Sequence, residues 1–410
     1  MALSPQAKGG ERRVVVIVGA GIGGLTAALA LSAAGFRVFI VERADHLSEV
    51  GAGIQLSPNA GRVLAGLGLD AALAAASIEP EAIEIRSGIS GRLLAALPIG
   101  AFRRRYDFPY RVIHRADLQS ILAEAVAADR AITLECAATV SEYLKQSDGL
   151  LVRIATPHGI DVVPAIAIIA ADGVWSSFRQ RIAGSAEPQP TGRTAWRALI
   201  SADVARDLVA LDRTGLWLGP DAHLVHYPVA RGAAVNVVAI VEERWEKPGW
   251  NAVGDRNEIT RRFGGWSAAA RRLLAAPISW QKFAITRVDP SGLWTDGRLA
   301  LLGDAAHAMT PFLAQGAAMA IEDAAVLANR LRSAADVPAA LQAYEAERKE
   351  RVAKVAAAAT EVGVQYHYRG VMAFARDAAL RLAGERLILE RNDWIYRWQP
   401  SAPDDTQPAQ

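Results

Sequence analysis

Five apolar residues in a row, VVVIV at Val14–Val18, are followed by GAGIGG and then by LTAALALSAAG. A short apolar run bounded by glycines reads as a strand buried on both faces. The Ala- and Leu-rich stretch behind it reads as a helix that stops at Gly35. A second strand, Arg37–Val41, closes on Glu42. Two later apolar runs end in a paired glycine and carboxylate. AIAIIAADG ends at Asp172 and Gly173, and RLALLGD ends at Gly303 and Asp304.

Between residues 191 and 290 the period falls to two, with aromatic and β-branched residues in TGRTAWRALISADV, HLVHYPV, AVNVVAIV and SWQKFAITRV. Alternation along HLVHYPV puts His223, Val225 and Tyr227 on one face and Leu224 and His226 on the other. Ala230, Arg231 and Gly232 form the hairpin turn. Residues 87–98 show the same short alternation. Helices are expected from Pro58 and from Asp117, read here as a capping residue with Arg115 just before it. After Pro311, the segment opened by Gln315 and Gly316 is helical and built of small residues. From residue 341 a long amphipathic helix follows, with i,i+4 pairs such as Glu347 and Arg351.

At 410 residues, more than one domain is expected. Lys+Arg of 45 against Asp+Glu of 43 gives a formal +2, which offers no basic face for nucleic acid. One cysteine, Cys136 in apolar surroundings, excludes an internal disulfide framework and reads as a small core residue of a cytoplasmic protein. The polar lead-in before Val14 and the shortness of every apolar run argue against a signal peptide or membrane span. No metal site and no internal repeat are expected. Arg103, Arg104 and Arg105 read as a solvated loop, and His226 and His307 as structural histidines.

Gly19, Gly21 and Gly24 have G-x-G-x-x-G spacing between a strand and a helix, with Glu42 about twenty residues on. In that setting Gly19 makes the sharp turn, Gly21 lets a pyrophosphate approach the backbone and Gly24 lets helix pack on strand. The helix N-terminus favours phosphate, and Glu42 can accept hydrogen bonds from ribose hydroxyls. An acid at that position favours a free 2′-hydroxyl, as in FAD or NAD. The chain then departs from a plain nicotinamide dehydrogenase, inserting a Gly-rich loop at 51–55 instead of further βαβ units.

The fingerprint at 19–24, the Asp-Gly pair at 172–173 and the Gly-Asp pair at 303–304, in this order, resemble the class A flavoprotein aromatic hydroxylases. These are single-component FAD monooxygenases of the 4-hydroxybenzoate 3-hydroxylase superfamily. By motif the chain is similar to the branch of salicylate 1-hydroxylase, 3-hydroxybenzoate 6-hydroxylase and 6-hydroxynicotinate 3-monooxygenase. The resemblance runs from about residue 12 to about residue 355. It implies an α/β fold: a Rossmann-like FAD-binding domain, an inserted and mostly antiparallel sheet domain for substrate, and C-terminal helices. The FAD-binding domain is expected in three segments, 12–80, 110–190 and 291–355. The substrate domain would comprise 81–109 and 191–290, followed by a helical segment at 356–400 and a disordered tail at 401–410.

The resemblance further implies noncovalent FAD, NADH or NADPH and O2 as cosubstrates, and a small phenolic or heteroaromatic acid hydroxylated through a flavin C4a-hydroperoxide. The alternative reaction class is a flavin-dependent reductase or dehydrogenase without oxygen insertion. Gly19, Ala20, Gly21, Gly24, Glu42 and Arg43 would hold the adenosine end. Arg115 and Asp172 would lie near the pyrophosphate, and Gly303 with Asp304 at the ribityl chain. Gln55, Pro311, Gly316, Ala317 and Ala318 would flank the isoalloxazine. His223 and Tyr227 match pocket residues of the branch, with His223 as a base of near-neutral pKa for the phenol. Arg197 and Trp196 are candidates for the substrate carboxylate or ring. Gln55 and Phe312 stand where one relative has histidines, which makes the pocket less polar and argues against hydroxynicotinate. The amphipathic helix and the aromatic residues Tyr366, Tyr368, Phe374, Trp394 and Trp398 are expected to cover the FAD domain or a partner in a homodimer.

Overall fold

The computed structural model describes residues 13–47, 53–246 and 249–401. The predicted buried strands form one six-stranded sheet. Its order is Thr295–Asp296, Leu299–Leu301, Ala167–Ala170, Val14–Val18, Arg37–Val41 and Ile132–Glu135, parallel throughout except for the short first strand. Register pairs Val16 with Ile168 and with Phe39, so the carboxyl ends of the strands, and the motifs that follow them, come to one edge. Ligands in open α/β sheets bind at that edge. Helices Ile22–Ala33 and Gly316–Ser333 pack together there over an apolar core that includes Ile17, Leu25, Ile169 and Ile321. Residues 139–165 add a three-stranded antiparallel meander that the sequence pattern did not announce.

A second, eight-stranded sheet is antiparallel except where Arg213–Gly219 runs parallel to Ala82–Ser87. That pairing joins the strands of 81–109 to those of 191–290 in one layer. One face packs Trp196, Leu224 and Val237 against helices Arg256–Arg262 and Ala268–Ala275. The opposite face looks toward the six-stranded sheet.

Several local expectations change. The helix Arg115–Ala128 begins at Arg115 with His114 as its N-cap, so Asp117 lies in the first turn, where a carboxylate favours the dipole, and is not the cap. Arg103–Arg105 lie in a helix, Ile99–Tyr106, and not in a loop; Arg103 and Arg104 are exposed, Arg103 reaches Glu79 at 2.7 Å and Arg105 reaches Asp393 at 2.6 Å. The amphipathic helix runs unbroken over Val337–Tyr366, past residue 355. Two more helices follow, Gly370–Leu382 and Glu385–Tyr396. Cys136 is a free thiol and is partly exposed. Residues 48–52 of the Gly-rich loop and 402–410 of the tail lie outside the described residues. Among the described residues no helix is long and apolar enough to cross a membrane.

Helix Gly316–Ser333 is fixed from below by two adjacent buried carboxylates. Asp323 accepts from the Gly303 amide at 3.1 Å, His307 at 2.6 Å and Arg348 at 2.7 Å. Burial opposes its ionisation, but His307 and Arg348 outweigh that and hold the carboxyl below its usual range. Glu322 accepts from Asn59 at 2.8 Å and from Arg351, and it pairs with Arg348 at 2.8 Å. Asp323→Asn removes one of the two buried carboxylates that pair with Arg348, leaving Glu322 alone to balance it. Removing one partner of a buried pair costs about 3–5 kcal/mol. Glu347→Gln, at the partly exposed pair with Arg330, should cost under about 1 kcal/mol. Urea unfolding of both variants checks this; equal midpoint shifts would remove the special place given to Asp323.

Candidate active site

The two sheets enclose a cavity of about 480 Å³. Its two walls differ in kind. One is backbone and small residues: Gly21 and Gly23 from the first turn, Gly303 and Asp304 from the strand end, and Gly316, Ala317 and Ala320 from the later helix. The other is made of side chains, with Ala195, Arg197, His223, Val225, Tyr227 and Ile240 from the eight-stranded sheet. Tyr366, Ile388 and Tyr396 from the C-terminal helices close it.

The backbone wall suits a dinucleotide. Helices Ile22–Ala33 and Gly316–Ser333 start at Gly21 and Gln315 without a side-chain cap, so the cavity receives the first amides of two helices, both favourable to anionic groups. The turn between strand and helix needs its glycines: Gly19 has φ +102°, and a Cβ on Gly24 would stand 2.0 Å from the Gly19 carbonyl oxygen. Glu42, at the end of its strand, accepts from the Ala20 amide at 2.8 Å and the Ala44 amide at 2.9 Å. Each oxygen keeps lone-pair capacity for a further donor. These features fit FAD.

Gly21, Gln55, Arg115, Gly303, Asp304, Pro311, Gly316, Ala317, His223 and Tyr227 all line this one cavity. Gly19, Ala20, Gly24, Glu42 and Ala318 stand behind or beside it, and Arg43 is exposed. Asp172 does not line it, although Ala171 and Gly173 do; its Oδ2 accepts from the Ser177 amide at 2.9 Å. Trp196 is not a pocket residue. Pleating turns it to the far face, fully buried, with its ring edge-on to Trp280 at 6.4 Å. Its neighbour Arg197 faces the cavity.

Two residues that were not singled out hold this site. Arg179 donates to the Ala305 carbonyl at 2.9 Å and to the Val174 carbonyl, tying the segment after Asp172 to the segment after Asp304. Its signal in SSFRQR is ordinary. His367 follows the long helix, and its Nε2 lies 2.9 Å from His223 Nδ1. No local pattern marks it, because the two histidines are 144 positions apart.

The electrostatics of the side-chain wall follow from burial. Burial, then His367 and Arg193, push the His223 imidazolium well below the usual histidine range. His223 is therefore neutral at pH 7, and the expectation of a near-neutral pKa fails, because the ring is 2% exposed and packed edge-on by Phe312 and Tyr366, each at 5.3 Å. His307 is buried against Asp323, as a structural histidine should be. Burial raises Tyr227 to about 12, against the pull of Arg197. The Tyr227 ring lies on the backbone of Gly53, where a Cβ would sit 2.5 Å from it. Burial and then the Arg115 charge lower the Arg197 guanidinium. Arg197 stacks over Phe283 at 5.1 Å, and no carboxylate pairs with it among the described residues.

A profile of the family described as FAD binding domain matches residues 12–359. The chain is 34% identical over 386 residues to a 3-hydroxybenzoate 6-hydroxylase of Polaromonas naphthalenivorans, covering 94% of this chain and 96% of that protein. It is 36% identical over 393 residues to a 3-amino-4-hydroxybenzoate 2-monooxygenase of Streptomyces platensis, covering 95% and 97%. Among solved structures, Klebsiella pneumoniae HpxO complexed with FAD and uric acid is similar with a TM-score of 0.80 at 26% identity, over 94% of this chain and 97% of that one. A salicylate hydroxylase substrate complex is similar with a TM-score of 0.79 at 28% identity, over 95% and 96%. With two motif-bearing strand ends and a glycine turn on one cavity, and with relatives matched over nearly their whole length, the chain belongs to the FAD binding domain family, as one of its FAD-dependent aromatic-ring monooxygenases.

Proposed function

We propose that this monooxygenase hydroxylates a small phenolic acid of the hydroxybenzoate type, in the cytoplasm, with NADH or NADPH and O2. The observation that carries the substrate class is Arg197: a cation in the cavity wall, facing apolar and aromatic neighbours, with no carboxylate among the described residues to answer it. A buried charge is stable only when paired, so a substrate carboxylate completes the site. FAD, held by the backbone wall, would supply the redox chemistry, with the nicotinamide nucleotide as reductant and O2 as the source of the inserted oxygen atom.

The chain's residues divide the remaining work. Glu42 with Arg43 holds the adenosine ribose, the amides after Gly19, Ala20, Gly21 and Gly24 receive the pyrophosphate with Arg115, and Asp304 beside Gly303 takes a ribityl hydroxyl. Asp172 shapes the neighbouring turn. Pro311, Gly316, Ala317 and Ala318 with Gln55 set the floor and edge of the ring site. Arg197 fixes the carboxylate end of the substrate, and Ile240, Val225 and Phe312 exclude water from the ring. His223 accepts the phenol hydrogen bond and takes its proton, which raises electron density on the carbon to be hydroxylated. Tyr227, kept protonated by burial, donates and orients. Two copies pair over the C-terminal helices, where Val371, Phe374 and Leu382 lie exposed.

Screening phenolic and heteroaromatic acids for stimulated NAD(P)H oxidation, with product mass, tests the reading. A gain of one oxygen supports it, loss of carbon dioxide assigns the decarboxylative variant, and NAD(P)H oxidation by no acid in the panel sinks it. Arg197→Met should weaken binding of the acid by about 2 kcal/mol, roughly 30-fold in Kd, and leave a neutral phenol of the same shape unaffected. Calorimetry on the FAD-loaded protein reads this. His223→Asn should lower the hydroxylation rate about 100-fold and divert reducing equivalents to hydrogen peroxide. Hydroxylation at the native rate by that variant removes His223 as the base.

A further inference from the structure

His223 poses a difficulty for any base role. A ring buried against Phe312 and Tyr366 cannot hold a proton, since an imidazolium there lacks both water and a carboxylate. Its Nδ1, however, is not idle. It meets His367 Nε2 at 2.9 Å, and His367 Nδ1 lies 3.4 Å from Glu242 Oε1. His223 is 2% exposed and His367 6% exposed, whereas the Glu242 side chain is 47% exposed. The three groups form one file from the cavity wall to the protein surface.

Resting on the proposed role of His223, we infer that His367 and Glu242 carry the substrate's phenolic proton out of the cavity, with both histidines staying neutral throughout. The starting arrangement has hydrogen on Nδ1 of each ring. The phenol O–H breaks and its proton joins His223 Nε2. The His223 Nδ1–H breaks and that proton joins His367 Nε2. The His367 Nδ1–H breaks and its proton joins the Glu242 carboxylate, which releases it to water. Both rings end in the opposite neutral tautomer, one proton has crossed, and nothing is oxidised or reduced. Reprotonation of the product phenol along the same file restores the first tautomers. Burial, which forbids storage of the proton, does not forbid this passage.

The surroundings hold the file in place. His367 caps the helix Val337–Tyr366, its carbonyl accepts from the Asp221 amide at 3.4 Å, and Arg369 grips Asp221 through Nε at 2.7 Å. The charged groups facing it are Arg193 from the strand Pro188–Ser201, 3.6 Å from Glu242, together with Asp221 and Arg369. Burial, and then Arg193, hold His367 down at about 4 while Glu242 pulls the other way, so His367 too is neutral in the working range.

The test uses the FAD-loaded enzyme and a nitro-substituted hydroxybenzoate, whose phenolate absorbs in the visible, mixed by stopped flow. His367→Gly should slow phenolate formation roughly tenfold or more, with Kd and FAD content within about twofold of native, and added imidazole should restore the rate. His367→Gln, of similar size but unable to change tautomer, should show the same loss without rescue, and it carries the test if the glycine variant does not fold. Native phenolate formation in both variants, while His223→Asn remains slow, overturns the file and leaves His223 as base. Native phenolate formation in His223→Asn as well overturns the role of His223 itself.

Discussion

Asp323 stands where the glycine-led strand end, the small-residue helix and the long C-terminal helix meet. From its place on the small-residue helix its carboxylate takes two donors from the strand end and the turn after it, the Gly303 amide and His307, and one from the long helix, Arg348. Beside it Glu322 reaches Asn59 and Arg351, and Asn59 in turn donates to Gln315 at 3.0 Å, just before the helix whose amides open on the cavity. Buried carboxylates tolerate no slack, because each lost donor leaves charge in a low-dielectric interior. The network therefore fixes the height of Gly303, the turn carrying Asp304, and the start of Gly316–Ser333 together. One wall of the cavity depends on a constraint lying beneath it and touching nothing in it.

That arrangement separates two tasks. The backbone wall recognises its ligand through amides, helix ends and the space left by missing side chains, so it offers few positions at which substitution can change what binds. The side-chain wall is a pleated surface on which every second residue of four neighbouring strands can vary without disturbing the sheet. Chemistry common to the family belongs on the first wall. On the proposed function, discrimination among aromatic acids falls to the second, which presents Arg197, Val225, Ile240 and Phe312 to the cavity.

The same division decides what could be read from sequence. The glycine turn, Glu42, and the pairs at 172–173 and 303–304 are local, because strand, turn and helix must follow one another along the chain. Which strand face meets the cavity is also local once the period is two, and His223, Val225 and Tyr227 came out correctly. Trp196 and Arg197 were harder. They are neighbours, so only one can face inward, and the register that decides between them is set across an irregularity between Pro190 and Thr194 in the pairing with Trp280–Val288. Arg103 and Arg104 are solvated as expected, but the run is helical and not a loop, and the partners of Arg103 and Arg105, Glu79 and Asp393, come from distant segments. His367 and the Asp323 network were invisible for the same reason: each residue is ordinary until folding brings partners from far along the chain.

A dry aromatic pocket makes two demands that pull apart. Excluding water strengthens the hold of Arg197 on an anionic substrate, since Coulomb attraction grows as the effective dielectric falls. The same dryness penalises a second charge pair inside, so a phenolate balanced by an imidazolium at His223 would have to be accommodated twice over. Arg197 can neutralise one substrate anion well, while Arg115, also in the wall, is assigned to the pyrophosphate. Making the ring electron-rich then requires the proton to leave the pocket, not merely to move across it. This is the physical reason a histidine with a depressed pKa is useful here, provided its far nitrogen is in contact with something nearer to water. The C-terminal segment supplies that contact, so a part of the chain outside the nucleotide-binding motifs is joined to the chemistry they serve.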